Sequence, residues 1–570
     1  MRSILWACIA FSLANSAVQA QETSEPRIVL VQPGVSALNA DLLSLTNLTS
    51  EEEKAYGADL EAFIQDFALG IDTERPVLVE VLTSSTPVTY LFWLPFEDRL
   101  DFLDNLDSIG FPAFVQPDNA DLYLIDDEVD QGWLRLLVDK KYALLALTMP
   151  ETQAQVKKQV LAAAFPESDL KRLTADVSAV AHLSNAQQDE ASQKARRGTF
   201  AALRADDMRD IKKRPAEAAS EFAVRQASST IFYDELERIY SDTSDIDVQF
   251  KLDRQKSVLN FVFEVAGIDG SSLGTSISQF GQATDAFAAI SPLPNNVLSG
   301  RLNHPVDDLR KQNANIYLDL LNTDIHRRIE ESESLQDAQK QATQKIYDDV
   351  ITIFRNGFNS GNVNGFVEAI HDGSDFTLVG AVSAPGSALL TQTLEQLPTA
   401  QEGNEIELSL ATEGDIVICR LRLAEGFLAL ADTLFGVGRD LLVGVGQDQV
   451  WLATGPGSQE LMIAKIKEAG DAETNDNVLS ASIHLGPWVN RLYELAEERE
   501  QPEAVEERAA WREDLVQLKQ MSESLVSDDE LIIDVQSDAK KLSGSVELRK
   551  GFLTFIGRQI ARLTKENLDL

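Results

Sequence analysis

Short apolar runs bounded by polar turns alternate along this chain with longer stretches in which leucine, isoleucine and phenylalanine return every third or fourth position. The first pattern predicts strands and the second amphipathic helices. Residues 78–82 and 88–94 flank a polar turn at 83–87 and predict a β-hairpin. Pro95 then opens a helix with Leu100, Phe102, Leu103 and Leu106 on one side. The same order returns later: residues 366–370 and 378–384 flank a turn at 371–375, and Pro385 opens a helix carrying Leu389, Leu390, Leu394 and Leu397.

The correspondence extends well beyond the hairpin. A helical stretch at 62–67 matches 353–358, and the run 142–148 with Pro150 and a helix matches 450–454 with Pro456 and a helix. Val180-Ala181-His182-Leu183 matches Ser482-Ile483-His484-Leu485, Asp247-Val248-Gln249 matches Asp534-Val535-Gln536, and Leu273-Gly274 matches Ile556-Gly557. Matches that keep one order while the loops between them change length predict an internal duplication. Hairpins outnumber strand–helix–strand crossovers, so the predicted class is α+β. It consists of two tandem similar domains, with largely antiparallel sheets, packed amphipathic helices and long helical segments. Ser291-Pro292-Leu293-Pro294-Asn295-Asn296 interrupts both periodicities. The predicted layout is a signal peptide at 1–20, a flexible segment at 21–33, a first domain at 34–290, a linker at 291–304 and a second domain at 305–570.

Composition narrows the class. The chain has 570 residues, 44% of them hydrophobic and 25% charged, which is globular and more than one core normally serves. Fifty Lys+Arg against 91 Asp+Glu give a net charge of −41, which argues against nucleic acid and anionic lipid surfaces. Arg2, the apolar run 4–17 and Val18-Gln19-Ala20 form an export signal. A lipoprotein reading on Cys8 is weaker, because most of the apolar run follows that cysteine. Cleavage leaves Cys419 alone, so no intramolecular disulfide is expected. The most apolar later stretch, 421–442, is broken by Glu425, Asp432, Arg439 and Asp440 and is no membrane span. A periplasmic or secreted location follows.

Four features invite chemistry. Gly270-Ser271-Ser272-Leu273-Gly274 fits the nucleophile-elbow spacing, which would hold the Ser272 hydroxyl above a sheet. Against it, the matching turn 553–557 has no serine and the preceding strand reads as one arm of a hairpin. His182 and His484 occupy matching strands and could serve as a base or ligand, yet no further ligands stand at metal-binding spacing. Asp118, Asp121, Asp126, Asp127, Glu128 and Asp130 form an acidic cluster without an EF-hand's spacing or glycine. Gly436-Val437-Gly438 and Gly444-Val445-Gly446 lack the third glycine of a dinucleotide fingerprint. No catalytic, cofactor-binding or metal-binding residue is therefore assigned.

Charge asymmetry supplies one further expectation. Residues 194–214 hold eight basic residues (Lys194, Arg196, Arg197, Arg204, Arg209, Lys212, Lys213 and Arg214) and three acidic ones, whereas 494–514 holds nine acids and three basic residues. Docking of the two regions, within one chain or between copies, would follow. The expected function is non-catalytic binding or scaffolding toward a protein or small-molecule ligand. The alternatives are a serine hydrolase using Ser272 and a carrier holding an apolar ligand between helices and sheet.

Overall fold

The computed structural model describes residues 27–82, 89–126, 131–148, 152–173, 177–185, 190–373, 375–422, 440–470, 473–474, 477–498, 505–525, 528–538 and 540–567. The signal peptide, Asp127, Glu128, Asp130 and the 436–438 glycine pair lie outside the described residues. The first ten strands are β1 (Arg27–Gln32), β2 (Val77–Leu82), β3 (Thr89–Pro95), β4 (Ala113–Gln116), β5 (Asn119–Asp126), β6 (Gln131–Leu137), β7 (Tyr142–Thr148), β8 (Ala179–Ser184), β9 (Thr243–Asp253) and β10 (Val258–Gly267). They are followed by β11 (Thr284–Asp285), β12 (Asn296–Pro305), β13 (Asn362–His371), β14 (Phe376–Ser383), β15 (Glu405–Glu413), β16 (Ile416–Arg422), β17 (Asp440–Val445), β18 (Gln449–Thr454), β19 (Glu473–Thr474), β20 (Asn477–His484), β21 (Glu530–Ser537) and β22 (Lys541–Leu548).

Strands β11 and β19 pair only with each other; the other twenty form one sheet in which every pairing is antiparallel. From one edge the order is β4-β5-β6-β7-β3-β2-β1-β8-β9-β10. It continues β22-β21-β20-β12-β13-β14-β18-β17-β16-β15 to the other edge. Each edge thus begins with a four-strand meander and continues through the predicted hairpin. The two runs meet at β10 and β22, in register from Leu259↔Leu548 to Ala266↔Lys541. A large antiparallel sheet with packed helices makes the class α+β, as the periodicity indicates.

Two expectations about boundaries need correction. Residues 27–32, assigned to a flexible segment, form β1 near the middle of the sheet, with Val29 and Val31 buried. Their Ile-Val-Leu-Val run supplies apolar side chains to both faces, which a central strand requires. Residues 291–304, assigned to a linker, run into β12, which pairs with β13 and β20.

The helices bind the two halves of the chain together. Successive strands alternate in direction, so the elements following β1, β20 and β22 emerge at one end of the sheet. There Val35–Thr46 and Glu51–Phe67 pack with Lys550–Asn567, which also touches Val505–Ser524, itself paired with Leu485–Glu498. Gly557 makes the first contact possible: a Cβ there would lie 2.2 Å from the Leu45 carbonyl oxygen. At the opposite end Glu190–Asp210 packs on Ala219–Asp242, which packs on Asp308–Glu331, which in turn packs on Asp337–Ser360. Each bundle therefore draws helices from both halves.

Packing differs between the flanks and the centre. In the flanks both sheet faces are covered. Helix Gln153–Ala162 packs Val156 and Val160 on Leu78, Trp93 and Leu144, while Phe102 and Leu106 of Arg99–Ser108 cover Ile125, Leu134 and Leu145. Met462 and Leu394 do the same on the two faces of the other flank. Each flank seats one indole across a ladder: Trp93 stands opposite Leu144, and Trp451 opposite Ala381. Both indoles are fully buried.

Candidate functional site

Strand alternation sorts the ten central strands, β2 to β13 in spatial order, into two unlike faces. The back face carries Asp245, Asp247, Gln249 and Lys251 on β9, Glu264 on β10, Ser543, Ser545 and Glu547 on β22, and Asp534 on β21. The front face carries no Asp, Glu, Lys or Arg on any of these ten strands. Most of its side chains form apolar rungs, with Gln32, Ser537, His304 and His371 as polar positions toward the strand ends. Ala181, Val248, Phe263, Gly544, Val535 and Leu479 stand opposite one another in sequence across β8, β9, β10, β22, β21 and β20.

This apolar face is not fully covered. Val248, Phe261, Phe263, Ile533 and Val546 are half-buried, and Ile28, Leu30 and Leu302 are 37%, 39% and 37% exposed. Residues from both bundle ends reach over it. Phe280, at the C-terminus of helix Ser272–Gln279, packs with Val535 against Phe263, Leu479 and Leu542. Trp488 packs on Leu298 and stacks on Phe376 from the other end. The result is a trough with an apolar floor and overhanging rims. An uncharged floor of this breadth can hold hydrocarbon; its two imidazoles, His304 on β12 and His371 on β13, stand toward one flank, with the His304 ring 5.1 Å from that of Phe280.

The predicted chemical residues lie elsewhere. Ser271 caps helix Ser272–Gln279 by accepting from the Gly274 amide at 3.0 Å. The Ser272 amide donates to Asp242 Oδ2 at 3.1 Å and its carbonyl accepts from Arg238 Nη2 at 3.1 Å. No hydrogen bond joins Ser272 to a histidine among the described residues. The motif's glycines serve the turn and the packing: Gly270 takes φ 75°, and a Cβ on Gly274 would lie 2.4 Å from the Ile268 carbonyl oxygen. The strand leading to this turn, β10, lies between two antiparallel neighbours.

His182 and His484 stand on the expected strands but on different rungs. His182 pairs across the ladder with Asp247, whereas the residue opposite Asp534 is Ser480, four positions before His484. His182 is 6% exposed, and its Nδ1 lies 3.4 Å from Asp247 Oδ2 without a hydrogen bond to either ring nitrogen. Burial, helped by the Arg172 guanidinium, holds its pKa below the ordinary histidine value. His484 is more open and its Nδ1 lies 3.0 Å from Asp529 Oδ1. The two residues are not brought together, and among the described residues no three His, Cys, Asp or Glu side chains cluster as a metal site would require.

The basic helix meets acidic partners within its own bundle. Arg197 pairs with Asp242, Arg204 with Asp234 and Arg209 with Asp206, at 2.6, 2.8 and 2.8 Å. The basic and acidic helices belong to bundles at opposite ends of the sheet. A cleft of about 420 Å³ between Arg420, Arg422 and the start of helix Ser458–Glu468 also has matched charges, supplied by Glu405, Glu407 and Asp440.

Sequence reasoning missed one buried ionic group. Glu368 on β13 and Lys465 on helix Ser458–Glu468 are 1% and 2% exposed, with Nζ 3.4 Å from Oε2. The same oxygen accepts from the Leu293 amide at 3.0 Å, and Lys465 also donates to the Ser291 carbonyl. The pair thereby pins the crossing between the halves to the sheet. Burial raises the Glu368 pKa despite Lys465 and the Leu293 amide. A lone glutamate inside an apolar run was the visible signal.

Among the described residues no helix is long and apolar enough to cross a membrane. No family model matches the chain, and no curated protein matches it. A solved structure, crystal form IV of TP0453, aligns with 44% of this chain and 81% of its own at 8% identity. Its TM-score of 0.22 gives the likeness no weight in argument.

Proposed function

We propose that this is an exported, non-catalytic binding protein that carries an apolar ligand on the front face of its central sheet, and that the chain arose by duplication of an α+β unit. The observation that carries the binding reading is the uncharged, half-exposed floor spanning ten strands. An apolar surface that broad is unfavourable in water unless something covers it for part of the protein's life. Duplication is supported by the strand order, which repeats from either edge, and by the placement of the matched sequence segments on corresponding strands and helices. The export signal at 1–20 supports a periplasmic or secreted carrier.

Two measurements test the binding reading. Mass spectrometry of protein purified gently from its host should find a retained apolar molecule. An uncharged fluorescent apolar probe should bind the mature protein and lose at least tenfold in affinity when Val248→Glu places a charge on the floor. Gln249→Glu, its neighbour on the back face, should leave binding unchanged. Equal losses from both would refute a front-face site. The serine-hydrolase alternative predicts stoichiometric labelling of Ser272 by a fluorophosphonate; the carrier reading predicts none.

A further inference from the structure

We propose that the trough is one continuous site crossing the β10–β22 seam, and that its occupant is a single linear hydrocarbon chain longer than either half of the floor. This rests on the apolar-carrier reading and specifies its ligand. The rungs do not stop where the halves meet: Phe263 of β10 faces Gly544 of β22, and Phe261 faces Val546. No charged or polar side chain marks the midpoint. At Gly544 the Phe263 ring takes the place of a side chain and carries the apolar surface across the seam, since a Cβ there would lie 2.5 Å from that ring.

Length sets the ligand class. Ten strands give nine spacings of about 4.8 Å, a floor of roughly 43 Å from β2 to β13. A hydrocarbon core of about 30 Å holds two leaflets, so one ordinary acyl chain spans about 15 Å and would fill less than half the trough. Charge selects among occupants. A second copy would bring another −41 against the first, and an anionic bilayer would be repelled for the same reason. Phe280 packs on Phe263 and Leu542 at the seam and Trp488 on Leu298, where a second sheet would have to lie flush at about 10 Å. A slender uncharged chain can pass beside Phe280 along the Phe261–Val546 and Leu259–Leu548 rungs.

The test is calorimetric titration of the mature full-length protein with straight-chain alcohols running from shorter to longer than half the floor. Affinity should rise about fourfold per methylene, the equivalent of 0.8 kcal/mol, and should keep rising past the half-length with one long chain bound per protein. Val546→Glu at the seam should cap the series at the half-length, while Val79→Glu at one end should affect only the longest members. A wild-type series that stops rising at the half-length, or two chains bound at every length, would overturn the continuous site while leaving apolar binding intact. Absence of binding by any member would sink the carrier reading itself. Sedimentation at twice the monomer mass, abolished by Val546→Glu, would assign the face to a second copy instead. If Val546→Glu fails to fold, the length series and stoichiometry of the unaltered protein still decide.

Discussion

Replacing Lys465 with methionine isolates the energetic role of the buried pair. Methionine nearly conserves the lysine's volume, so packing is retained while the charge is lost. Glu368 would then keep the Leu293 amide as its hydrogen-bond donor and lose the ammonium 3.4 Å away, at 1% exposure. Breaking a buried pair from one side costs about 3–5 kcal/mol, because the remaining charge is left uncompensated. The loss should depend on pH in a defined direction. Burial already raises the Glu368 pKa, and removing Lys465 raises it further. A carboxyl that is harder to ionise folded than unfolded favours the folded state at low pH and opposes it as pH rises through the folded value. Urea unfolding at pH 7 and pH 5 should therefore show a smaller penalty for Lys465→Met at pH 5. Adding Glu368→Gln should recover most of the loss at pH 7. A penalty below about 1 kcal/mol at pH 7, or one indifferent to pH, would refute the reasoning.

Three other outcomes are expected. Trp451→Ala should cost about 3–5 kcal/mol in urea unfolding, because the indole is fully buried against Phe287 and Phe366. Adding Ala381→Trp moves the indole across the ladder to the facing position on β14 and, if the halves are duplicates, should restore part of that loss; further destabilisation would count against equivalent rungs. Residues 27–290 and 291–567 expressed separately should each fail to give a cooperative unfolding transition and should recover one when mixed, since both bundles draw on both halves. A cooperative transition in either fragment alone would show that half to be self-sufficient. The His182 imidazole should titrate in an NMR pH series below the ordinary value of about 6.5, as burial lowers its pKa. The unfolded chain then takes the proton more readily, so stability should fall as pH drops below about 6.5. His182→Gln should flatten that part of the profile; a His182 titration at or above 6.5 would refute it.

Local pattern made the hairpins, the helices between them and the antiparallel class legible, because each depends on a period readable within a dozen residues. The strand Ile246, Val248, Phe250, Leu252, interleaved with Asp245, Asp247, Gln249 and Lys251, announces two unlike faces but not which one is covered. Ordinarily the apolar face is buried. Here the helices that could cover it are spent on one another in bundles at the strand ends, so the central apolar face stays half open. That outcome is set by contacts such as Gly557 on Leu45, separated by most of the chain. The same distance problem hid Lys465 from Glu368, although the glutamate alone was visible. The histidine match failed for a different reason: its motif compared side-chain types along two strands, while the ladder pairs rungs. A register shift lies between Asn477 and Leu479 at the start of β20, and helix Leu485–Glu498 begins directly after His484. A matched motif can thus locate a strand correctly while leaving its rung, and hence a side chain's partners, undetermined. For a binding surface made of whole rungs, the sequence reveals the apolar material, and the register determines that it forms one floor.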